Sequence, residues 1–382
     1  MDSPIFSSLY KNLLTCRDIL FLMLFCISVA VEAQTGVLER QNKGVAMPAV
    51  SFQWWKVEET KIHQFAIPVT FSYPVNEKLQ LNLATSPAFS TLESRGSASL
   101  NGLSDTRFSG NYLLHEERVM ATFGVNLPSG KHALKSEEFV VANVLALHAF
   151  DFMTPILGQG FDISAGLATT FKMPTLVLGL GAGFLMRGPF SPIENASDKY
   201  NPGDEITLSL GLDYPMRQKK KLMFDVSYTL YTADKVEKNE VFQAGNRISF
   251  QAMAYMPGER ATLLFSVRDR IRAKNKLASG QDLIPERQNS NGNEIEILAT
   301  LLLPQRQGWT LRGTVEGRFY SNNAYDAGGA TIGGAGIGLG YPLSPQTTFD
   351  MEARFYVGSL DTGFDPVNTT GLRLLGGLKV RL

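Results

Sequence analysis

Cysteine is almost missing from this 382-residue chain, which has only Cys16 and Cys26, both within the first 33 residues. The rest of the chain therefore forms neither a disulfide nor a thiolate metal site. It also lacks any stretch of about 20 consecutive apolar residues, which excludes a bundle of membrane-spanning helices. Charge is balanced, with 36 Lys and Arg against 36 Asp and Glu. The chain has no excess of basic residues that would indicate a nucleic-acid partner.

Short turns recur at even spacing along the rest of the chain. Six of them contain a proline and a seventh lies at Leu114-His115-Glu116-Glu117; the prolines are Pro74, Pro174, Pro215, Pro257, Pro304 and Pro342. Between consecutive turns lie longer stretches rich in Gly, Asn, Asp and Ser. This alternation of short turns and long loops is typical of a transmembrane β-barrel, which places turns on one side of the membrane and loops on the other.

The segments between turns and loops alternate apolar and polar residues. In segment 309–320, Leu311, Val315 and Phe319 share one face of a strand, and the polar residues share the other. A soluble β-sandwich also alternates, but its strands average about 5–6 residues, whereas a tilted membrane-crossing strand needs about 9–11. We predict an all-β, antiparallel transmembrane barrel of about sixteen strands, with fourteen as the alternative.

The N-terminus has the pattern of a secretory signal. Lys11 and Arg17 precede an apolar run that extends from Ile19 to Val31 and ends in Val31-Glu32-Ala33. A membrane anchor, the alternative, needs a longer apolar run. We therefore predict a cleaved signal peptide at 1–33, a periplasmic N-terminal segment at 34–48 and the transmembrane barrel at 49–382.

The polar faces of the strands carry charges of both signs and predict a charged lumen. The candidate lumen charges are Arg268, Arg270, Arg312, Glu316, Arg318, Asp350, Glu352 and Arg354. One interpretation is a lattice of ion pairs that braces the wall. The other is a charged constriction that selects solutes. Both can hold at once.

The longest connection runs from Pro128 to Gly158 and is predicted to contain a short helix. Ser136 is predicted as its N-cap, with Glu137 and Glu138 in the first turn. Loops this long are usually functional. The helix is expected over the barrel rim, or inside the lumen as a constriction or ligand surface, or replaced by an extra pair of strands. The candidate constriction residues, which share one face at helical spacing, are Phe139, Val140, Val144 and Leu147.

Signals for catalysis or a cofactor are weak. The histidines His63, His115, His132 and His148 do not stand at metal-ligand spacing. The glycine runs 179–183 and 333–340 alternate within strands and are followed by no helix, so they do not fit a phosphate-binding loop. Glycine in a barrel wall instead lets neighbouring side chains approach closely. We expect no enzyme, no catalytic residue, no metal and no cofactor.

Two stretches resemble a known family. The strand from Gly102 to Tyr112, with Leu127-Pro128-Ser129-Gly130 after the next strand, and the segment Leu157-Gly158-Gln159-Gly160-Phe161-Asp162 resemble bacterial outer-membrane transporters named for the meta-pathway of phenol degradation. That family is distantly similar to the long-chain fatty-acid channel. The resemblance implies passage of small hydrophobic or aromatic compounds, and no ligand residues of the family carry over to this chain.

The sequence and the resemblance together favour an outer-membrane channel or transporter for small, hydrophobic or aromatic molecules in a Gram-negative bacterium. The alternatives are a general porin for polar solutes and a non-conducting structural or adhesive barrel. The expected partners are outer-membrane lipid and lipopolysaccharide, the barrel assembly machinery during insertion, and a small-molecule solute. No nucleic-acid partner is expected.

Overall fold

The computed structural model describes residues 43–114, 118–280, 282–305, 308–361, 363 and 365–382. The predicted signal peptide, 1–33, and His115 lie outside these residues. The strands before the long loop are β1 (Val45–Val57), β2 (Thr60–Ala66), β3 (Val69–Pro74), β4 (Leu79–Thr85), β5 (Pro87–Glu93), β6 (Ser97–Leu103), β7 (Thr106–Leu114) and β8 (Val119–Leu127). Helix α1 (Ser136–Leu145) lies within the loop.

The strands after the long loop include eleven barrel strands and five short strands in the outer connections. They are β9 (Asp162–Lys172), β10 (Val177–Arg187), β11 (Tyr200–Asn201), β12 (Glu205–Pro215), β13 (Lys221–Tyr231), β14 (Ala233–Val236), β15 (Asn239–Gln243), β16 (Arg247–Pro257), β17 (Thr262–Arg272), β18 (Lys276–Ser279), β19 (Asp282–Pro285), β20 (Glu294–Pro304), β21 (Thr310–Tyr320), β22 (Ala330–Pro342), β23 (Thr347–Leu360) and β24 (Val367–Arg381). A short 3-10 helix, Arg217–Lys219, lies in one turn.

Nineteen of these strands form one antiparallel sheet that closes on itself. Three membrane-crossing strands are each made of two shorter ones placed end to end, namely β2 with β3, β4 with β5, and β6 with β7. The first strand pairs with the last, as in Trp54 opposite Leu372. The result is a closed barrel of 16 strands, which confirms the predicted fold class; the alternative of fourteen strands is wrong.

The three divided strands are interrupted at adjacent positions. The amide of Ile67 donates to Pro87 O, and the amide of Ser104 to Ser86 O, each at 2.9 Å. Proline cannot donate to the ladder, so Pro68 and Pro87 favour a break here. Pro48 similarly lies between two paired stretches of β1. The first strand begins at Val45, four residues before the predicted barrel boundary at 49, because pairing continues on both sides of that proline.

Side chains alternate between a lipid-facing and a lumenal face, as the sequence predicts. The outward residues Val315, Ile337 and Phe355 are 62%, 75% and 54% exposed. Four of the five tyrosines near the short turns, Tyr73, Tyr112, Tyr214 and Tyr341, are exposed on this face. The fifth, Tyr255, is in step with lumenal Gln251 instead.

The two barrel rims differ in the length of their connections. Short turns share one rim with both ends of the barrel, where Leu382 N donates to Gly44 O at 2.8 Å. We call this the turn rim and the opposite one the loop rim. At the loop rim, β11, β14, β15, β18 and β19 form a separate five-stranded sheet, the outer sheet. No helix in the described residues is both long and apolar enough to cross a bilayer.

Candidate solute site in the barrel lumen

Charged contacts stabilise the start of helix α1, which lies within the long connection 128–161. Glu138 pairs with Lys131, and its Oε2 accepts the backbone N–H of Lys135 at 3.0 Å. Burial raises the pKa of Glu138, but the Lys131 and Lys135 contacts outweigh it and hold that pKa below its usual value. The predicted N-cap, Ser136, is wrong: Lys135 is the N-cap because Glu138 satisfies its free N–H group.

The helix packs inside the barrel on a face adjacent to the predicted one. Val141, Ala142 and Leu145 are its buried apolar residues. Phe139 and Val144 of the predicted face are partly buried against them, whereas Val140 and Leu147 are 38% and 42% exposed. Of the three expected positions of the loop, the structure therefore shows the lumenal one.

Two glutamines of the wall hold the chain that follows the helix. Gln53 Nε2 donates to Asp151 O at 2.9 Å, and Gln53 Oε1 accepts the amide of Met153 at 2.5 Å. Gln64 Nε2 donates to Thr154 O at 2.7 Å and its Oε1 accepts the amide of Thr154 at 2.9 Å. Both glutamines are buried. Each side chain satisfies a donor and an acceptor of the loop backbone, as a neighbouring strand does.

An apolar cluster fills the space between the loop and the wall. Trp55, 1% exposed, lies 5.0 Å from the ring of Phe150 and 5.1 Å from that of Tyr356. The other buried residues of the cluster are Ile62, Ala66, Ala88, Leu92, Leu100, Leu134, Val141, Ala142, Leu145, Phe152, Leu157 and Ile332. The larger of the two buried apolar clusters in the described residues therefore lies in the lumen, where a barrel of this size has room for an aqueous channel.

The structure places the candidate lumen charges in two clusters. In the first, Arg268 and Arg270 both pair with Glu296, and Arg270 Nε lies 3.1 Å from Glu294 Oε2. Tyr320 also donates to Glu296 at 3.3 Å. Both glutamates stand on the lumenal face of β20, alternating with outward Ile295 and Ile297. They were not among the predicted site residues, although this alternation could have identified them.

The second cluster spans β21 and β23. Arg354 contacts Glu316 Oε2 at 2.9 Å and Glu352 Oε1 at 2.8 Å. Arg312 contacts Asp350 at 3.3 Å and Glu352 at 3.7 Å.

These ion pairs pass over β22, which lies between the two strands and presents glycine to the lumen. A Cβ on Gly336 would lie 2.5 Å from Arg354 Cγ, and one on Gly334 would lie 2.5 Å from Tyr356 Cδ1. A side chain at either position would occupy the space of the charged network. The glycine run therefore permits ion pairs between strands that are not neighbours.

The second cluster also contacts the loop. Arg318, whose side chain is 3% exposed, lies 2.6 Å from Glu316 and donates to Ala149 O at 2.9 Å. Arg318 and Arg373 each lie 3.4 Å from Asp151. Asp151 has φ of 48°, a left-handed conformation that is uncommon outside glycine. No sequence pattern identified Asp151, because its partners lie far along the chain.

A small pocket opens between the loop and the connection 188–204. Its apolar lining includes Leu100, Leu134, Phe139, Leu157 and Phe190, and its polar lining includes His132 and Tyr200. The Phe190 ring meets His132 and Tyr200 edge to face, with centroids 6.3 and 5.9 Å apart. Mostly apolar walls with a few polar groups are typical of small-molecule sites. Of the predicted constriction residues, Phe139 alone lines this pocket.

Another of the four histidines, His148, lies near the lumen just after the helix. Burial lowers the pKa of His148, which favours its neutral form. Its Nδ1 lies 4.0 Å from Glu294 Oε2. In the described residues no three His, Cys, Asp or Glu side chains are grouped to hold a metal ion.

Comparison with known proteins gives weak similarities only. No family model and no curated protein matches this chain. A solved structure described as the CymD monoaromatic hydrocarbon channel shares 10% identity over 90% of this chain and 89% of its own, with a TM-score of 0.45. A bacterial polysaccharide outer membrane secretin shares 8% over 90% and 99%, at 0.47. Outer membrane protein OprD from Pseudomonas aeruginosa shares 10% over 91% and 96%, at 0.43.

The class of protein follows from the fold itself. A closed sixteen-stranded sheet leaves no free edge, and its outer face is apolar where lipid would contact it. Barrels of this strand number enclose a lumen that can conduct small solutes. The chain is therefore an outer-membrane β-barrel.

Proposed function

We propose that this barrel is a channel or transporter for small hydrophobic or aromatic molecules, as the resemblance to the phenol meta-pathway family implies. The observation that carries the proposal is the apolar, aromatic-lined pocket at the loop rim. Lipid contacts do not explain this apolar surface, because the loop and the lumenal faces of the strands form it. A general porin needs no such surface in its lumen.

The side of the barrel opposite the loop supports a passage through which solutes could move past the loop. The loop rests on the packed wall, by which we mean β1, β2, β5, β6, β22 and β23. The bare wall is formed by β9, β10 and β12. Its small lumenal residues include Ser164, Gly166, Ala168, Gly179, Gly183, Thr207, Ser209 and Gly211. We propose that solutes leave the pocket and move along the bare wall.

The first charge cluster, on β17 and β20, lies outside the packed wall and would screen polar solutes in the open part of the lumen. The second cluster, on β21 and β23, would brace the packed wall and the loop. The turn rim would face the periplasm, as expected for an even number of strands with both ends on one side. Lipopolysaccharide contacts at the loop rim and insertion by the barrel assembly machinery belong to the same proposal. This function requires no catalytic group and no cofactor, in line with the expectation from the sequence.

Ion current through single channels in a planar bilayer tests the proposal. Benzyl alcohol, a small aromatic probe, should interrupt the current at far lower concentration than glycerol. Phe190→Ser should raise the half-blocking concentration of benzyl alcohol, because it removes the ring between His132 and Tyr200. The matched control is Tyr325→Ser, which removes an exposed aromatic ring from another outer connection.

Two results would contradict the proposal. Equal block by benzyl alcohol and glycerol, unchanged in Phe190→Ser, would favour the general porin. A folded barrel that carries no current would favour the non-conducting structural or adhesive barrel.

A further inference from the structure

A row of charged and aromatic side chains crosses five neighbouring strands where they meet the loop rim. Each residue is the lumenal position of its strand that lies nearest the loop rim: Arg187, Glu205, Tyr231, Arg247 and Arg272 on β10, β12, β13, β16 and β17. The register brings Glu205 opposite Tyr231 and Arg247 opposite Arg272. Consecutive members of the row are therefore close neighbours across the sheet.

Two arginines of this row share one aromatic ring. The guanidinium carbons of Arg247 and Arg272 lie 6.0 and 5.9 Å from the centre of the Tyr231 ring. A cation over an aromatic face is favourable, but two cations beside one ring also repel each other. An anion between them would relieve this repulsion.

Nearby carboxylates are already engaged by other arginines. Glu205 pairs with Arg187, and Glu294 lies 3.1 Å from Arg270. Within the described residues, neither Arg247 nor Arg272 has a carboxylate within the 4.0 Å limit of an ion pair. This row therefore has more positive charge than its carboxylates neutralise.

Buried polar atoms at the same place have no partner. The Tyr231 hydroxyl and Arg247 Nε are both enclosed and make no hydrogen bond with any described residue. Tyr231 is 6% exposed and Arg247 is 4% exposed. Buried donors of this kind are costly unless an acceptor meets them. Arg272 is only half-buried, which leaves the group accessible from the lumen.

We propose that Arg247, Arg272 and Tyr231 form a binding site for the carboxylate of a small organic acid in the lumen. Guanidinium groups bind the two oxygens of a carboxylate through paired donors, and the phenol supplies one more. The lumenal direction of all three side chains separates this site from lipid headgroups. The inference rests on the proposed function and narrows its solutes to those with an apolar body and one acidic group.

Benzoate and benzyl alcohol form a matched pair of probes, because they share a ring and differ in charge. With purified full-length protein in a planar bilayer, benzoate should block the current at lower concentration than benzyl alcohol. Arg272→Gln and Arg247→Gln should each raise the half-blocking concentration of benzoate at least about tenfold, the lower end of what one charge-assisted hydrogen bond contributes. Tyr231→Phe should raise it less. Block by benzyl alcohol should not change.

The control variant is Arg260→Gln, which removes an exposed arginine from the short turn between β16 and β17, at the opposite rim. It should leave block by benzoate unchanged, and Arg272→Lys should restore part of it. If Arg247→Gln does not fold, the half-buried Arg272 decides the test. Block by benzyl alcohol with no advantage for benzoate, and no effect of Arg272→Gln, would overturn the carboxylate site alone. Absence of block by either probe would overturn the proposed function as well.

Discussion

The packed wall and the bare wall are built from the same alternating pattern and differ only on their lumenal faces. On the packed wall Gln53, Trp55 and Ile62 are at most 2% exposed, because the loop covers them. On the bare wall most lumenal positions between the two rims carry Gly, Ala, Ser or Thr. Their outward faces are alike, since lipid sets the same requirement everywhere. The size of lumenal side chains therefore decides which part of the lumen is filled and which is open.

The largest effect is expected when the loop is removed from the packed wall. Deleting residues 134–155 should leave the barrel folded, because its strands pair independently of the loop. Single-channel conductance should rise severalfold while block by benzyl alcohol is lost. Unchanged conductance would mean that the loop does not occupy the conducting path.

A second test fills the bare wall instead. A Cβ on Gly183 would meet only Ala165 O, at 3.9 Å, so the position has room for a side chain. Gly183→Trp should lower conductance strongly, because the indole enters the proposed passage. Its neighbour Ala182 faces lipid, and Ala182→Trp should fold and conduct like the parent protein. Equal conductance in the two variants would place the passage elsewhere.

A smaller change compares glycines of the two walls directly. Gly336→Ala should destabilise the barrel by about 1–3 kcal/mol, the usual cost of overpacking, because its Cβ would meet Arg354. Gly183→Ala should be nearly neutral. Urea unfolding in detergent, followed by heat-modifiable gel mobility, measures both. Comparable losses at the two positions would show that the glycines serve strand geometry rather than the ion pairs of the packed wall.

The smallest expected effect is a pH dependence of the stability of the outer sheet, which lies outside both walls. Burial raises the pKa of Asp234 to about 6, although the Tyr200 hydroxyl and the Gly203 amide donate to it at 2.6 and 2.7 Å. A raised carboxyl pKa favours the folded state while the group is protonated. The outer sheet should therefore be most stable below about pH 4 and lose stability as the pH rises through about 6.

Hydrogen exchange of the outer sheet, corrected for intrinsic rates, should be slower at pH 5 than at pH 8. Asp234→Asn should remove this difference, while the barrel strands change little in either protein. A pH dependence that persists in Asp234→Asn would assign it to another group.

The sequence alone predicts the barrel, its sixteen strands and the lipid face, because each depends on local alternation and turn chemistry. It also identifies the helix near Ser136. It does not locate the loop, because the contacts that hold it join residues far apart, such as Gln53 and Asp151, which are 98 positions apart. The buried face of the helix is shifted for the same reason: the wall against which it packs is not visible in its own spacing.

The candidate lumen charges were also only partly predictable from the sequence. Arg312, Glu316 and Arg354 are found from alternation, but their pairing across β22 depends on a glycine run whose function became visible only in the folded sheet. Glu296 lies in an apolar strand and was missed, although its alternation with Ile295 and Ile297 was available.

The position of the loop in the lumen is the central claim, and one crosslink tests it most directly. Ser86 Oγ on the wall and Thr154 Oγ1 in the loop lie 2.7 Å apart. The native cysteines, Cys16 and Cys26, both precede the barrel, so a Ser86→Cys, Thr154→Cys pair gives an unambiguous readout. A disulfide should form in the folded double variant, shown by a mobility shift that reductant reverses. A folded barrel whose two thiols stay reduced and react with a maleimide under oxidising conditions would contradict the lumenal loop.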